Sequence, residues 1–533
     1  MITRPIDTTD DGESLKAFMA ESSAPSGMLS STTCYIASMT TLPARRPPKV
    51  TASPDILPHL PLDRRMSTPL HRQIYAGLRR AILDGSLRAG QRVPSTRVLA
   101  DQLTVSRFPV LAAYEQLLHE GYLEGRVGSG TFVSASLPDD ALRSSPHSPG
   151  ATSAPSLRPA TRSAPPRCDE GGLRPFRVSL PALDAFPHAL WSRFVARHAH
   201  ALSPAQMAYG DPAGLPSLRA AIAEHLRTAR AVRCEGEQVL IVSGSQAALR
   251  LCAAVLLSPG DRAAVEEPGY LGARTALTAG GATLAPLPVD DEGISVSALA
   301  ALGRRVAAVY TTPSHQYPLG VSMSAGRRLA LLDWAERRKA WVIEDDYDSE
   351  YRYVSRPLGA LQGMDANERV IYVGTFSKVL FPSIRVGYLV VPPALWPAFL
   401  EAREALDLFS PTLYQLALLD FIREGYFLRH LRRMRTLYLA RREALLDGLA
   451  SHCDGRLTVL NADAGIHVST QLPPGCDDCD VVRRMAARRL TASPLSSCYV
   501  GPKRRSGLLL GFGGWDERRI GAATRALGEI LEA

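Results

Sequence analysis

A chain of 533 residues is too long for one ordinary core and predicts two or more domains. It is 46% hydrophobic and 21% charged, a globular balance, and no apolar run approaches the ~20 residues of a membrane-spanning helix, which excludes a helical membrane protein. The formal net charge of +9 suits a polyanionic partner without requiring one.

Residues 1–60 are rich in Ser, Thr and Pro without a sustained period, and read as a disordered extension, or as the product of a start codon placed too early, and not as a domain. The opening MITRPIDTTDDGESLKAF carries acids and no apolar signal core, and the eight cysteines are scattered. Both features point to the reducing cytoplasm.

A first domain is expected over 61–134. In PLHRQIYAGLRRAILDGSLRAG, Ile74, Leu78, Ile82 and Leu83 recur at helical spacing, and Gly85 closes the helix. Ser95 is placed to cap a short helix, Thr104 and Val105 to turn, and Ser106 to cap a second helix reaching about Glu120. YLEGR and TFVS then pair around VGSG. The order helix, turn, helix, glycine-tipped hairpin is that of a winged helix-turn-helix, whose second helix enters the major groove of double-stranded DNA. The segment holds ten Lys/Arg against six Asp/Glu. Arg97, Arg107 and Arg126 fall at two helix starts and the wing, from which guanidinium groups reach guanine edges or phosphates. From PLHRQIY through EGYLEGRVGSGTFV the segment resembles the DNA-binding domain of the GntR family. The resemblance implies DNA contacts from Arg97 and Arg107 and a wing tip at Gly128, Ser129 and Gly130. SRFPVL departs from it, because relatives carry small polar residues after the arginine. Phe108 therefore either meets a thymine methyl or packs.

Residues 135–175 are dominated by Pro, Ser and Ala with nothing to bury, and read as a flexible linker. From 176 to 533, β-branched runs (QVLIVSG, RAAVEE, VAAVYTT, AWVIEDD, VIYVGT) alternate with helical patterns, which predicts an α/β domain on a mainly parallel sheet. GCDDCD sets Cys476 and Cys479 at C-x-x-C spacing, but no second pair or histidine follows at zinc-ligand distance, so no metal is expected.

The chemistry of the second domain centres on VGTFSKVLFPSIRVGY. Lys378 is one of five lysines in the chain, and it stands among hydroxyls and an arginine. A primary amine condenses with an aldehyde, and pyridoxal 5′-phosphate (PLP) is the commonest aldehyde held as a Schiff base in this way. Such a site also needs phosphate donors, a carboxylate for the pyridine nitrogen, a donor to the ring oxygen and an aromatic stack. LIVSGSQAALRL is a strand, a turn and a helix start, presenting Ser245 and Gln246 to an anion. Thr375, Ser377 and Arg385 flank Lys378 and complete a phosphate cradle. Asp345 in AWVIEDDYDSEY suits the ring nitrogen, Tyr347 the ring oxygen, and Tyr270 in EEPGYLGAR the stack.

The blocks YGDPAGLPSLRAAIAEHL, SGSQAAL, EEPGY, TTPSHQYPLG, EDDYDSEYRY and GTFSKVLFPSIRVGY resemble the fold type I (class I) aminotransferases over about 350 residues. By that resemblance Tyr209 reaches the cofactor phosphate of the other protomer, which implies a homodimer with shared sites. A GntR-type reader joined to an aminotransferase-like domain is the arrangement of the MocR/GabR-like regulators. Two departures bear on activity. Tyr317 stands where the family's N-P-x-G block has asparagine. GLLLGFGGW has leucines where the enzymes carry a carboxylate-binding arginine; the closest cations are Lys503, Arg504 and Arg505, and Arg274 is a candidate second anchor. Loss of that clamp weakens positioning of an amino acid more than it weakens cofactor binding. The expected function is a DNA-binding regulator that senses PLP, or an amine or amino acid reacting with it, at an operator with two half-sites. Little or slow transamination is expected. The alternative is a working aminotransferase with an accessory DNA-binding module, and a third reading is a DNA-binding protein whose large domain only dimerises.

Overall fold

The computed structural model describes residues 60, 62–135, 137, 173–303, 306–354, 359–502 and 504–532. The expected extension and most of the expected linker lie outside them. The chain divides into two compact units, Met1–Arg158 and Pro159–Ala533.

In the first unit, α1 (Leu70–Leu83), α2 (Thr96–Gln102) and α3 (Arg107–His119) precede the antiparallel pair β1 (Leu123–Arg126) and β2 (Gly130–Val133). The helical spacing of Ile74, Leu78 and Ile82 buries one face of α1 against Leu99, Val110, Ala113, Leu117 and Val133. Each fully buried Leu or Ile contributes about 1.5–3 kcal/mol. The Ser95 hydroxyl accepts from Val98 N at 3.3 Å and caps α2. Thr104, with φ 53°, turns the chain between α2 and α3. Ser106 occupies the N-cap position of α3, but its side chain makes no capping bond, contrary to the sequence expectation. The wing turns through Gly128 and Gly130, at φ 75° and 111°, values that favour glycine.

The second unit carries an eight-stranded sheet of β3 (Val239–Val242), β4 (Arg262–Glu267), β5 (Thr283–Asp290), β6 (Gly293–Ile294), β7 (Val306–Thr311), β8 (Trp341–Asp346), β9 (Val370–Thr375) and β10 (Gly387–Val390). Their spatial order is β3-β10-β9-β8-β7-β4-β5-β6. β5, β4, β7, β8 and β9 run parallel. β10 is antiparallel to both β9 and β3, so β3 points the same way as β9. The carboxyl ends of β3, β4, β7, β8 and β9 therefore share one edge, where open α/β sheets bind ligands. Fully buried strands such as VLIV and VIYVGT fit a sheet covered on both faces. A second, antiparallel sheet of β11 (Thr458–Asn461), β12 (His467–Gln471), β13 (Ser493–Pro494) and β14 (Gly507–Gly511) has the order β11-β12-β14-β13. No helix among the described residues is long and apolar enough to cross a membrane.

Candidate functional site

The carboxyl edge of the large sheet gathers most of the expected site. The turn after β3 leads into the helix Ser245–Leu256, so the unpaired N–H groups of Ser245 and Gln246 lie at its N-terminus. The Arg385 guanidinium packs on this turn: a Cβ built on Gly244 would lie 3.1 Å from Arg385 Nη1. Residue pairing of Gly387 with both Thr375 and Val242 brings the ends of β9, β10 and β3 together. Thr375 Oγ1 accepts from Ser377 N at 3.2 Å. Ser245, Gln246, Thr375, Ser377 and Arg385 thus come to one edge.

Lys378 is half-buried, with Nζ 3.3 Å from Ser179 O. Burial lowers its pKa, while the nearby carboxylates of Asp348 and Asp345 act in the opposite sense. It lines a cavity of about 520 Å³ together with Arg177, Ser179, Tyr317, Ser383 and Thr491.

Asp345, on β8, is buried; its Oδ2 accepts from Tyr310 OH at 2.8 Å. Among the described residues its Oδ1 is buried without a hydrogen-bond partner. Burial pushes its pKa up to about 7, against the lowering effect of the Tyr310 bond. An oxygen left unpartnered in such a place costs about 1–3 kcal/mol, and a protonated ring nitrogen would satisfy it. The Tyr270 hydroxyl accepts from Gln246 Nε2 at 3.1 Å, and its ring meets that of Tyr317 edge-on at 5.6 Å. The Tyr347 oxygen lies 3.0 Å from His315 Nδ1, which is 2.8 Å from Asp348 Oδ1. The donor set therefore fits pyridoxal phosphate: an amine, an unpartnered carboxylate oxygen, a tyrosine, and a helix start with an arginine.

Three expected residues stand apart. Tyr209 is 85% exposed, its ring edge-on to Phe409 at 6.2 Å. Arg274 Nη2 donates to Gly269 O and Ser497 O at 3.3 and 3.0 Å, while its Nε is buried without a hydrogen-bond partner among the described residues. Arg504 donates to Gly501 O at 3.2 Å, and Lys503 lies outside the described residues. Leu508, Leu509 and Leu510 are all fully buried in β14. The reading of sequence blocks missed Tyr310 and did not pair His315 with Asp348. Position alone held a signal for Tyr310: it lies one residue before the end of β7 beside β8, where it pairs with Ile343.

In the first unit Arg97 and Arg107 are exposed at the starts of α2 and α3, and Arg107 Nε donates to Thr96 Oγ1 at 3.2 Å. Arg126 is held by an ion pair with Glu124 at 2.5 Å and lies over the Phe132 ring at 4.6 Å. Both partners are about half exposed, so the pair is weak and can be exchanged for phosphate. Ser129, like Gly128 and Gly130, is exposed at the wing tip.

Residues 70–133 match the family "Bacterial regulatory proteins, gntR family", and residues 186–507 match "Aminotransferase class I and II". The chain is 42% identical over 470 residues to the "Probable rhizopine catabolism regulatory protein MocR" of Rhizobium meliloti, covering 86% of this chain and 93% of that protein. It is 34% identical over 459 residues to the "HTH-type pyridoxine biosynthesis transcriptional regulator PdxR" of Corynebacterium glutamicum, covering 84% and 93%. Among solved structures, the kynurenine aminotransferase of Pyrococcus horikoshii superposes with a TM-score of 0.64 at 28% identity, over 68% of this chain and 92% of that one.

Proposed function

The chain belongs to the MocR-type GntR-family transcription regulators, a winged helix-turn-helix followed by a class I/II aminotransferase-like domain, and on that premise we propose that it binds pyridoxal 5′-phosphate at Lys378 and regulates transcription in response to PLP, or to an amine or amino acid that reacts with it. Bound there, PLP supplies a reactive aldehyde and an electron-accepting ring. The protein groups do the rest. Lys378 offers an amine whose neutral form is favoured by burial. Asp345 holds a proton at the ring nitrogen, Tyr347 donates to the ring oxygen, and Tyr270 stacks on the ring. Ser245, Gln246, Thr375, Ser377 and Arg385 hold the phosphate, and Tyr209 completes the cradle of the other protomer in a homodimer.

The observation that carries the reading is the buried, partnerless Asp345 Oδ1, on a carboxylate that interacts with Lys378. Asp348 Oδ2 is likewise buried without a partner among the described residues, and what distinguishes Asp345 is its place on β8 at the carboxyl edge of the sheet, beside Lys378. The test is spectroscopic. Protein incubated with PLP should turn yellow, borohydride should fix the cofactor on the peptide containing Lys378, and Lys378→Ala should abolish the adduct. A protein that stays colourless with excess PLP ends the proposal.

A further inference from the structure

Tyr347 is not alone at the site. His315 Nδ1 lies 2.8 Å from Asp348 Oδ1 and 3.0 Å from the Tyr347 oxygen, and Asp348 and His315 are both buried. An imidazole nitrogen beside a carboxylate carries the hydrogen and donates it. With Nδ1–H shared between Asp348 and Tyr347, the tyrosine oxygen is an acceptor there. Its own hydrogen must then point elsewhere. We propose that the His315–Asp348 pair is a positioning device, which orients the Tyr347 hydroxyl hydrogen toward the ring oxygen of the cofactor. This rests on the cofactor reading above.

The pair is built into the fold and is not a chance contact. A side chain at Gly465, where φ is +76°, would collide with His315 and come within 2.6 Å of Asp348 Oδ2. Gly465 is itself pinned, its N–H donating to Tyr351 O at 2.7 Å and its carbonyl accepting from Tyr353 OH at 2.6 Å. The His467 ring lies 5.3 Å from that of His315, and its pKa falls to about 4 through burial first and the neighbouring His315 second. His467 is therefore neutral and does not compete for Asp348. The second sheet, through Gly465 and β12, thus packs directly on the group that aims Tyr347. The other ionisable groups acting on Tyr347 are Asp348, Tyr317, Asp345 and Glu266. None of them supplies an N–H to its oxygen.

A donor at the ring oxygen favours the form in which that oxygen is not shared with a protonated Lys378 nitrogen. The readout is the pH midpoint of the bound cofactor's visible absorbance change, measured on the full-length loaded protein. Tyr347→Phe should raise the midpoint by about one unit, and His315→Phe should raise it in the same sense. In the double variant the shift should equal that of Tyr347→Phe alone, because His315 acts through Tyr347. Should His315→Phe not fold, His315→Leu serves instead. It removes the Nδ1 donor while leaving the Asp348 charge, which itself acts on Lys378, in place, and should give a rise in the same sense. A wild-type midpoint in these variants, or shifts that add in the double variant, overturns the proposal. Failure of the wild-type protein to take up PLP would defeat the cofactor reading instead, so the two failures are distinguishable.

Discussion

Asp345 is a buried acid whose charged form is costly. Its folded pKa of about 7 stands above the ordinary carboxylate value, so between about pH 4 and pH 7 the folded state binds more protons than the unfolded state. Stability from this group is therefore full below about pH 4 and is lost as pH rises through about 7. Asp345→Asn should match wild type near pH 4 and become more stable than it at pH 8 when no cofactor is present, by at most about 4 kcal/mol. The sign reverses for function: the amide cannot pair with a protonated ring nitrogen, and the variant should retain PLP poorly. Melting curves across pH and a dialysis assay of retention check the two halves. If the amide is no more stable than the acid at pH 8, burial is not what governs this carboxylate. Asp345, Tyr347 and Lys378 were legible because they sit within short blocks whose chemistry is complementary. His315 and Asp348 were harder to see as partners, 33 residues apart, because a pairing through space leaves no local period. The sequence offers Arg274 only as a candidate second anchor, and only the fold reveals the carbonyl partners of its Nη2.

The element whose surface decides DNA recognition is α3. Its buried residues Val110, Ala113, Tyr114 and Leu117 define the core face, which leaves Arg107, Phe108 and Leu111 outward in the first turns. Phe108 is 76% exposed, so within its unit it does not pack. An aromatic ring beside Arg107 suits a thymine methyl in the major groove. Replacing the contacted thymine by deoxyuridine removes only that methyl and should cost about 0.8 kcal/mol, roughly fourfold in affinity. The same replacement should have no effect on Phe108→Ala. Arg107→Ala should cost on the order of 1–3 kcal/mol at the preferred site, and binding should fall steeply with salt as phosphate contacts release counterions. Unchanged affinity in both Arg107→Ala and Arg97→Ala would mean that another element enters the groove. Periodicity and turn chemistry made these helices readable, and Ser95 behaves as its position suggests. The large sheet was less so. The five runs read from the sequence are β3, β4, β7, β8 and β9, but β5 carries two prolines in TLAPLPVD, which argue against a strand. β5 pairs with β4 on one side and only with the two-residue β6 on the other, where proline is tolerated. β10 and the second sheet are short, and GYLV and GLLLG look the same in a strand or a buried helix.

At the scale of the whole molecule the question is whether the second unit works as an enzyme or as a sensor. Exchange of Lys378 for an external amine needs only the groups described around it. Transamination demands more: the α-proton must be held in line with the ring's π system beside a base, which requires a fixed substrate carboxylate. By the resemblance, the strand that corresponds to the enzymes' arginine is β14, which buries Leu508, Leu509 and Leu510, and Arg274 Nη2 already donates to two backbone carbonyls. Amines or amino acids should therefore change the absorbance of the loaded protein while turning over slowly or not at all. An effector acts only through its different affinity for two states, so the spectral change should run parallel with a change in operator affinity. By reciprocity, operator DNA should shift the effector's apparent affinity by the same factor. On the proposal that Tyr209 completes the cradle of the other protomer, Tyr209→Phe should weaken PLP retention only in the dimer, and mixed dimers carrying the change in one protomer should show one weakened site of two. Titration of the loaded protein with candidate amines, in the presence and absence of DNA, measures the spectral change and the reciprocal coupling, and dialysis of the mixed dimers measures cofactor retention. Steady transamination of a common amino acid at ordinary enzyme rates, on the order of 1–1,000 per second, would make this chain an aminotransferase with a DNA-binding module. A spectral change that leaves operator affinity untouched would separate the cofactor from the switch.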